Sequence, residues 1–308
     1  MKTKMMVARS MSRILFCILY IADVYTIYCV TKDIPKSCIG AAGIWLVLLI
    51  QMWIHLLSLK AHSLNNSSRA DVNYIQGCME EVVRRSDSIG RKTYVRLWVA
   101  DNESLNCFTV GHNIIVNKGL LRLGDRSMIE GCLCHEYSHV LNGDYFFAAL
   151  LNVNIFIGLS VLGIIHIGAA AVIVLVAALV FGIIFSSWIG FIMGSVVGKG
   201  VKKIFGLFMR LYYYIFKIFS AFLYRVQENE ADRYVGILRY SGSMISFLHL
   251  SERMERHSVQ TSWVEDLLND HPSNYRRIVR LERIEEEISE QERMMNPYQM
   301  IHHDNPFG

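Results

Sequence analysis

No Asp, Glu, Lys or Arg occurs between Asp144 and Lys199 of this 308-residue chain. So long a charge-free gap excludes a water-facing loop and points to a bilayer. Charge is scarce overall, at 19% of residues against 53% hydrophobic ones, and the mean hydropathy is +0.30; both are unlike an ordinary soluble enzyme. No arginine-rich arm and no basic–aromatic array is present, so no nucleic-acid partner is expected. The seven cysteines show no repeating CxxC spacing. Cys132 and Cys134 are read as small packing residues inside a helix, not as ligands. No small-residue cleavage site follows the first apolar run, which is therefore read as retained. There is no clear internal repeat and only one intramembrane acid, Asp23, which weighs against a transporter.

What is present divides the chain. Residues 14–30 and 39–59 are apolar runs joined by a turn at 31–37, so residues 1–60 form a transmembrane hairpin. Residues 61–144 have soluble character: a helix over Asp71–Arg85, a strand over Tyr94–Ala100, and short strands at Asn106–Val110 and Asn113–Val116 around Gly111. Ser127–Asn142 is helical again and ends at Asn142-Gly143-Asp144. Residues 145–198 are too long for one span and short for three, so two spans are expected, breaking near His166-Ile167-Gly168. Residues 201–224 carry Lys202, Lys203, Arg210 and Lys217 among apolar residues and read as an interfacial amphipathic helix. They open a second soluble segment, 199–296, whose Ser273–Met295 stretch is a charged helix. Residues 297–308 are a loose tail.

Lys2, Lys4, Arg9 and Arg13 precede the first span. Lys60 and Arg69 follow the second, and Lys199, Lys202 and Lys203 follow the fourth. Only Lys32 and Lys36 lie between spans on the other side, offset in part by Asp33. The excess of positive charge places both termini and all soluble segments in the cytosol, on an inner-membrane protein.

Residues 135–139 read His-Glu-Tyr-Ser-His. On a helix, positions i and i+4 share a face, so His135 and His139 can bind one zinc ion while Glu136 reaches the metal's water as general base. Zinc brings that water's pKa to about 7. A catalytic site needs a third protein ligand and an open position. Glu228 supplies it on one reading, with Asp232 four residues on holding a ligating imidazole from behind; Glu230 is the rival ligand. Ligands on both sides of the charge-free stretch can share a metal only if an even number of spans separates them, in agreement with the two spans counted by length.

These residues carry a family likeness. His-Glu-x-x-His followed by Asn142-Gly143-Asp144, the second hairpin and Glu228-x-x-Ala231-Asp232 resemble the HtpX-like membrane metallopeptidases, gluzincins related to the CAAX prenyl proteases. Asn106-Cys107-Phe108 with Gly111 is similar to the family's Asn-Ala-Phe strand, Gly119-Leu120-Leu121 to the segment leading into the metal helix, and His271-Pro272 with Arg277 to its late His-Pro motif. The resemblance implies a mostly α fold: four transmembrane helices plus a cytosolic α+β zincin-type domain with a small sheet. It also implies that His271 stabilises the oxyanion with Arg277 nearby, and that Asn106 and Phe108 lie on an edge strand that pairs with substrate. Gln227, Asn229 and Cys107 depart from the family's usual Arg, aromatic and Ala; none removes a ligand.

The expected activity is zinc-dependent cleavage of misfolded membrane proteins, one Zn2+ per chain, in quality control or a stress response. A dedicated CAAX-like substrate and a non-catalytic membrane scaffold are the alternatives.

Overall fold

A computed structural model describes residues 11–59, 61–63, 69–122, 125–255 and 273–295. The chain forms two compact units, Met1–Ala149 with Leu223–Gly308, and Leu150–Phe222.

The first unit begins with the hairpin α1 (Met11–Thr31) and α2 (Ile34–Ser58). Asp33 caps α2, accepting the Lys36 N–H at 3.1 Å, and Pro35 occupies the first turn, where its missing N–H costs nothing. Both helices are long and apolar enough to cross a bilayer, at about 30 and 37 Å for a core of about 30 Å.

A four-stranded mixed sheet follows, in the order β1-β2-β4-β3. β1 (Ala61–Ser63) is antiparallel to β2 (Arg96–Ala100), β2 is parallel to β4 (Asn113–Asn117), and β4 is antiparallel to β3 (Cys107–Val110). β3 is therefore an edge strand. Its side chains alternate between two faces. Cys107 joins the main core, whereas Phe108 and Val110 pack with Leu56 of α2 in a second cluster. Gly111 turns the β3–β4 hairpin at φ +64°, and a Cβ there would meet Met52 Sδ at 2.6 Å, so the position needs glycine twice over. The three strands expected from alternation are present. β1 was not read from the sequence.

The main core lies between the sheet, α3 (Arg69–Ser88), α5 (Arg126–Asn142), α8 (Ser241–Glu255) and α9 (Asn274–Met295), with the short α4 (Lys118–Arg122) leading into α5. α5 is buried nearly all round. Ile129, Leu133 and Tyr137 are at most 1% exposed, each contributing about 1.5–3 kcal/mol on the scale for fully buried large apolar side chains. Cys132 and Cys134 belong to the same core, and burial pushes both thiols up. The packing reading of these cysteines therefore stands. Cys29 and Cys38 are free thiols.

The second unit is a hairpin that corrects one expectation. No break occurs at His166-Ile167-Gly168. α6 runs unbroken from Asp144 to Ile184, the turn falls at Phe185-Ser186, and α7 runs from Ser187 to Ile237. Residues 201–224 are thus the middle of one long helix, not a separate element. No proline occurs between Pro35 and Pro272 to interrupt either limb, and Gly168 is only a weak helix breaker. At the expected break the His166 ring instead stacks on Phe205, centroids 3.7 Å apart. Nearer the turn, Gly190, Gly194 and Gly198 repeat every four residues against Val174, Ala178 and Gly182, a spacing that lets backbones touch. A Cβ on Gly190 would lie 2.8 Å from Gly182 Cα and 2.5 Å from the Ala178 carbonyl oxygen. Gly190→Leu is expected to destabilise the hairpin by about 1–3 kcal/mol. Gly206→Ala, with nothing within 4 Å, should leave it unchanged. Unfolding of the purified protein in detergent, followed by circular dichroism, measures both.

Candidate metal centre

α5 is held at both ends. Asp125 accepts the Ser127 N–H at 2.9 Å, and Gly143, at φ +73°, donates its N–H to the His139 carbonyl at 3.0 Å. This is a left-handed C-cap. Arg13 donates to the Leu141 carbonyl at the same end, where a cation complements the helix dipole. Both ends of α5 are thereby fixed, and the helix packs on β3 and β4.

On the middle stretch of α5 the sequence-derived residues converge. His135 and His139 present Nε2 atoms 3.3 Å apart. Glu228 of α7 brings Oε2 to 3.2 Å from His135 Nε2 and Oε1 to 3.6 Å from His139 Nε2. One atom from each of the three lies within 4.8 Å of the others, and among the described residues this is the group that could hold a metal ion. Their side chains are 4%, 13% and 7% exposed. Three electron-pair donors packed so closely away from water could hold a metal ion between them, and two imidazoles with a carboxylate form a donor set suited to zinc. Burial disfavours the His139 imidazolium, but Asp144 and Glu228 beside it outweigh burial and hold its pKa well above the ordinary value.

The far side of each imidazole meets a carboxylate. His139 Nδ1 lies 2.8 Å from Asp144 Oδ2, and His135 Nδ1 lies 3.3 Å from Asp232 Oδ1. Such contacts fix the ring orientation and turn Nε2 toward a metal. Asp144 was not assigned this part from the sequence, where it was read only as the end of the helix. The available signal was its position five residues beyond His139, just past a glycine cap. Arg277 of α9 ties the acids together, with Nη2 2.7 Å from Asp232 and Nη1 3.4 Å from Glu228. Burial opposes its charge, yet the two carboxylates raise its pKa further, so the guanidinium stays ionised.

Glu136 stands beside the ligands on the sheet-facing side. Thr109 of the edge strand donates to Glu136 Oε2 at 2.9 Å, and its hydroxyl lies 3.1 Å from the Glu136 carbonyl. The family likeness points to Asn106 and Phe108 in this strand. The structure turns Phe108 to the opposite face, and Thr109, which was not singled out, reaches the centre. Asn106 braces the strand's start: its Oδ1 accepts the Cys107 N–H at 2.9 Å and its carbonyl accepts the Asn117 N–H at 3.1 Å. Glu230, the rival ligand, lines a cavity of about 30 Å³ with Ser12, Asn142, Asp144 and Gln227. Gln227 donates to Ser12 Oγ at 3.1 Å across this space. His271 lies outside the described residues.

The profile of Peptidase family M48 matches residues 69–285. The chain belongs to Peptidase family M48. The match takes in every residue of the centre. Among curated relatives, the chain is 26% identical over 129 residues to the protease HtpX homolog of Bacillus licheniformis, covering 40% of this chain and 43% of that protein. It is 31% identical over 115 residues to the homolog from Pelotomaculum thermopropionicum, covering 34% and 41%. The chain thus spans less than half the length of these relatives. A crystal structure of S. mikatae Ste24p is similar with a TM-score of 0.44 and 13% identity, over 90% of this chain and 66% of that one.

Removing the carboxylate behind a ligating imidazole weakens metal binding about 10–100-fold. Asp144→Asn is therefore expected to lower metal affinity by that factor in competition with a chromophoric chelator. Glu228→Ala should abolish stoichiometric metal, and Glu230→Ala should retain it, by elemental analysis of the purified proteins.

Proposed function

We propose that this chain is a zinc-dependent endopeptidase that cleaves membrane proteins at portions exposed on the cytosolic side. The observation that carries the reading is the meeting of His135, His139 and Glu228 with Glu136 alongside and a carboxylate behind each imidazole. A purely structural metal site has no use for Glu136. When bound, zinc supplies Lewis acidity toward water and the scissile carbonyl.

The residues divide the remaining work. Glu136 takes the proton of the attacking water and later returns it to the leaving amine. Thr109 occupies Oε2, which leaves Oε1 to act as the base. Asp144 and Asp232 orient the imidazoles, and Arg277 keeps Asp232 and Glu228 ionised. β3, with Asn106 and Phe108 at its start, offers its outer edge to an extended substrate through main-chain hydrogen bonds. His271 and its neighbourhood supply a donor to the developing oxyanion. Substrates are misfolded or damaged membrane proteins, consistent with four apolar helices on the same chain, and the role is quality control under stress. The excess of Lys and Arg flanking the spans supports cytosolic termini and a cytosolic site.

Glu136→Gln should bind zinc like wild type and lose cleavage of an unfolded membrane-protein substrate in detergent; cleavage at the wild-type rate would overturn the assignment. Thr109→Val should lower kcat about tenfold with KM little changed, and Thr109→Ser should restore it, as expected for one lost hydrogen bond to a charged group. Steady-state kinetics on a quenched peptide reads both.

A further inference from the structure

The middle of α7 carries a charge pattern that the metal centre does not use. Between Leu150 and Phe222 there are five cations, Lys199, Lys202, Lys203, Arg210 and Lys217, and no acid. At 100° per residue the five fall within an arc of about 100°. The residues that meet α6 (Gly190, Gly194, Gly198, Phe205 and Tyr212) lie on a face turned roughly 130° away. The cations therefore point away from the hairpin seam. Lys199, Lys202, Lys203 and Arg210 are exposed, and Lys217 is half-buried.

Their depth is equally specific. Lys199 and Lys203 lie about 20 and 26 Å of helical rise from the turn at Phe185-Ser186. Long lysine side chains extend this toward water, which matches a bilayer core of about 30 Å. Trp188, 78% exposed beside the turn, suits the opposite interface, where indole rings collect. Between these limits both limbs are uncharged. The lysine cluster thus falls at the level of one headgroup layer, with Arg210 about 10 Å farther along the helix and still within the Debye length of about 8–10 Å of it.

We propose that Lys199, Lys202, Lys203 and Arg210 form a binding site for the headgroup of an anionic phospholipid. The ligand is a lipid phosphate because the cations adjoin a surface that is otherwise apolar, with Ile192 and Val196 exposed on the same face of the helix, on the turn side of Lys199, to contact acyl chains. The proposal is independent of the peptidase reading.

The test titrates the full-length protein in neutral detergent with phosphatidylglycerol, counting bound lipid by native mass spectrometry, with phosphatidylcholine as comparator. Wild type is expected to bind phosphatidylglycerol preferentially. The Lys199→Gln, Lys202→Gln, Lys203→Gln, Arg210→Gln variant should bind it at least about fivefold more weakly, the effect of one juxtamembrane cation. The same three lysines changed to Arg should retain binding, which separates charge from folding. Equal binding of the two lipids by wild type, an unchanged affinity in the Gln variant, or equal loss in the Arg variant would each overturn the site. Displacement of the lipid by equimolar inorganic phosphate would do so as well, because the site would then be one for free phosphate.

Discussion

Two imidazole nitrogens and a carboxylate oxygen meet in a space nearly closed to water, and the surroundings follow from the need to keep that meeting tolerable. Lone pairs at 3.3 Å repel unless something positive lies between them or close by. A metal ion answers this directly. The protein answers the rest: Asp144 and Asp232 draw the ring protons to the far side, and Arg277 offsets the carboxylates that this requires. Truncating one member of such a network leaves a buried charge without its partner, which is more costly than never having built it. The centre is therefore one electrostatic unit assembled from α5, α7 and α9.

The first unit is built from two chain segments separated by more than seventy residues. Close packing of the hairpin's tip comes from glycine repeats, and packing farther along comes from aromatic contacts such as His166 on Phe205. The two devices solve different problems. Glycines let backbones approach where no side chain is charged, and rings pack between the limbs where α7 begins to carry charge.

Much of this was legible in the sequence. The metal helix showed itself through the spacing of His135 and His139, and Glu228 through its own spacing to Asp232. The strands were readable because alternation and turn residues agree locally. What stayed hidden depended on tertiary contact. Asp144 looked like punctuation because nothing in a linear reading shows which ring lies above it. Asn106 and Phe108 stood out through their likeness to the family's Asn-Ala-Phe strand, whereas Thr109, which strand alternation turns to the face opposite Phe108, carries no such mark. The break near Gly168 was inferred from bilayer thickness, which limits how much helix is buried in lipid and not how long a helix can run. α8 escaped notice because its apolar positions are interleaved with Ser, Gly and Glu.

The hydroxyl of Thr109 has a single hydrogen, while two acceptors of Glu136 lie within its reach, at 2.9 and 3.1 Å. It can serve only one at a time. With the hydroxyl turned to the carboxylate, one oxygen of Glu136 is tethered to the strand; turned to the main-chain carbonyl, it leaves that oxygen free to move. A rotation about one side-chain bond on the edge strand thus decides whether the Glu136 carboxylate is tied to β3 or released from it, without moving any backbone.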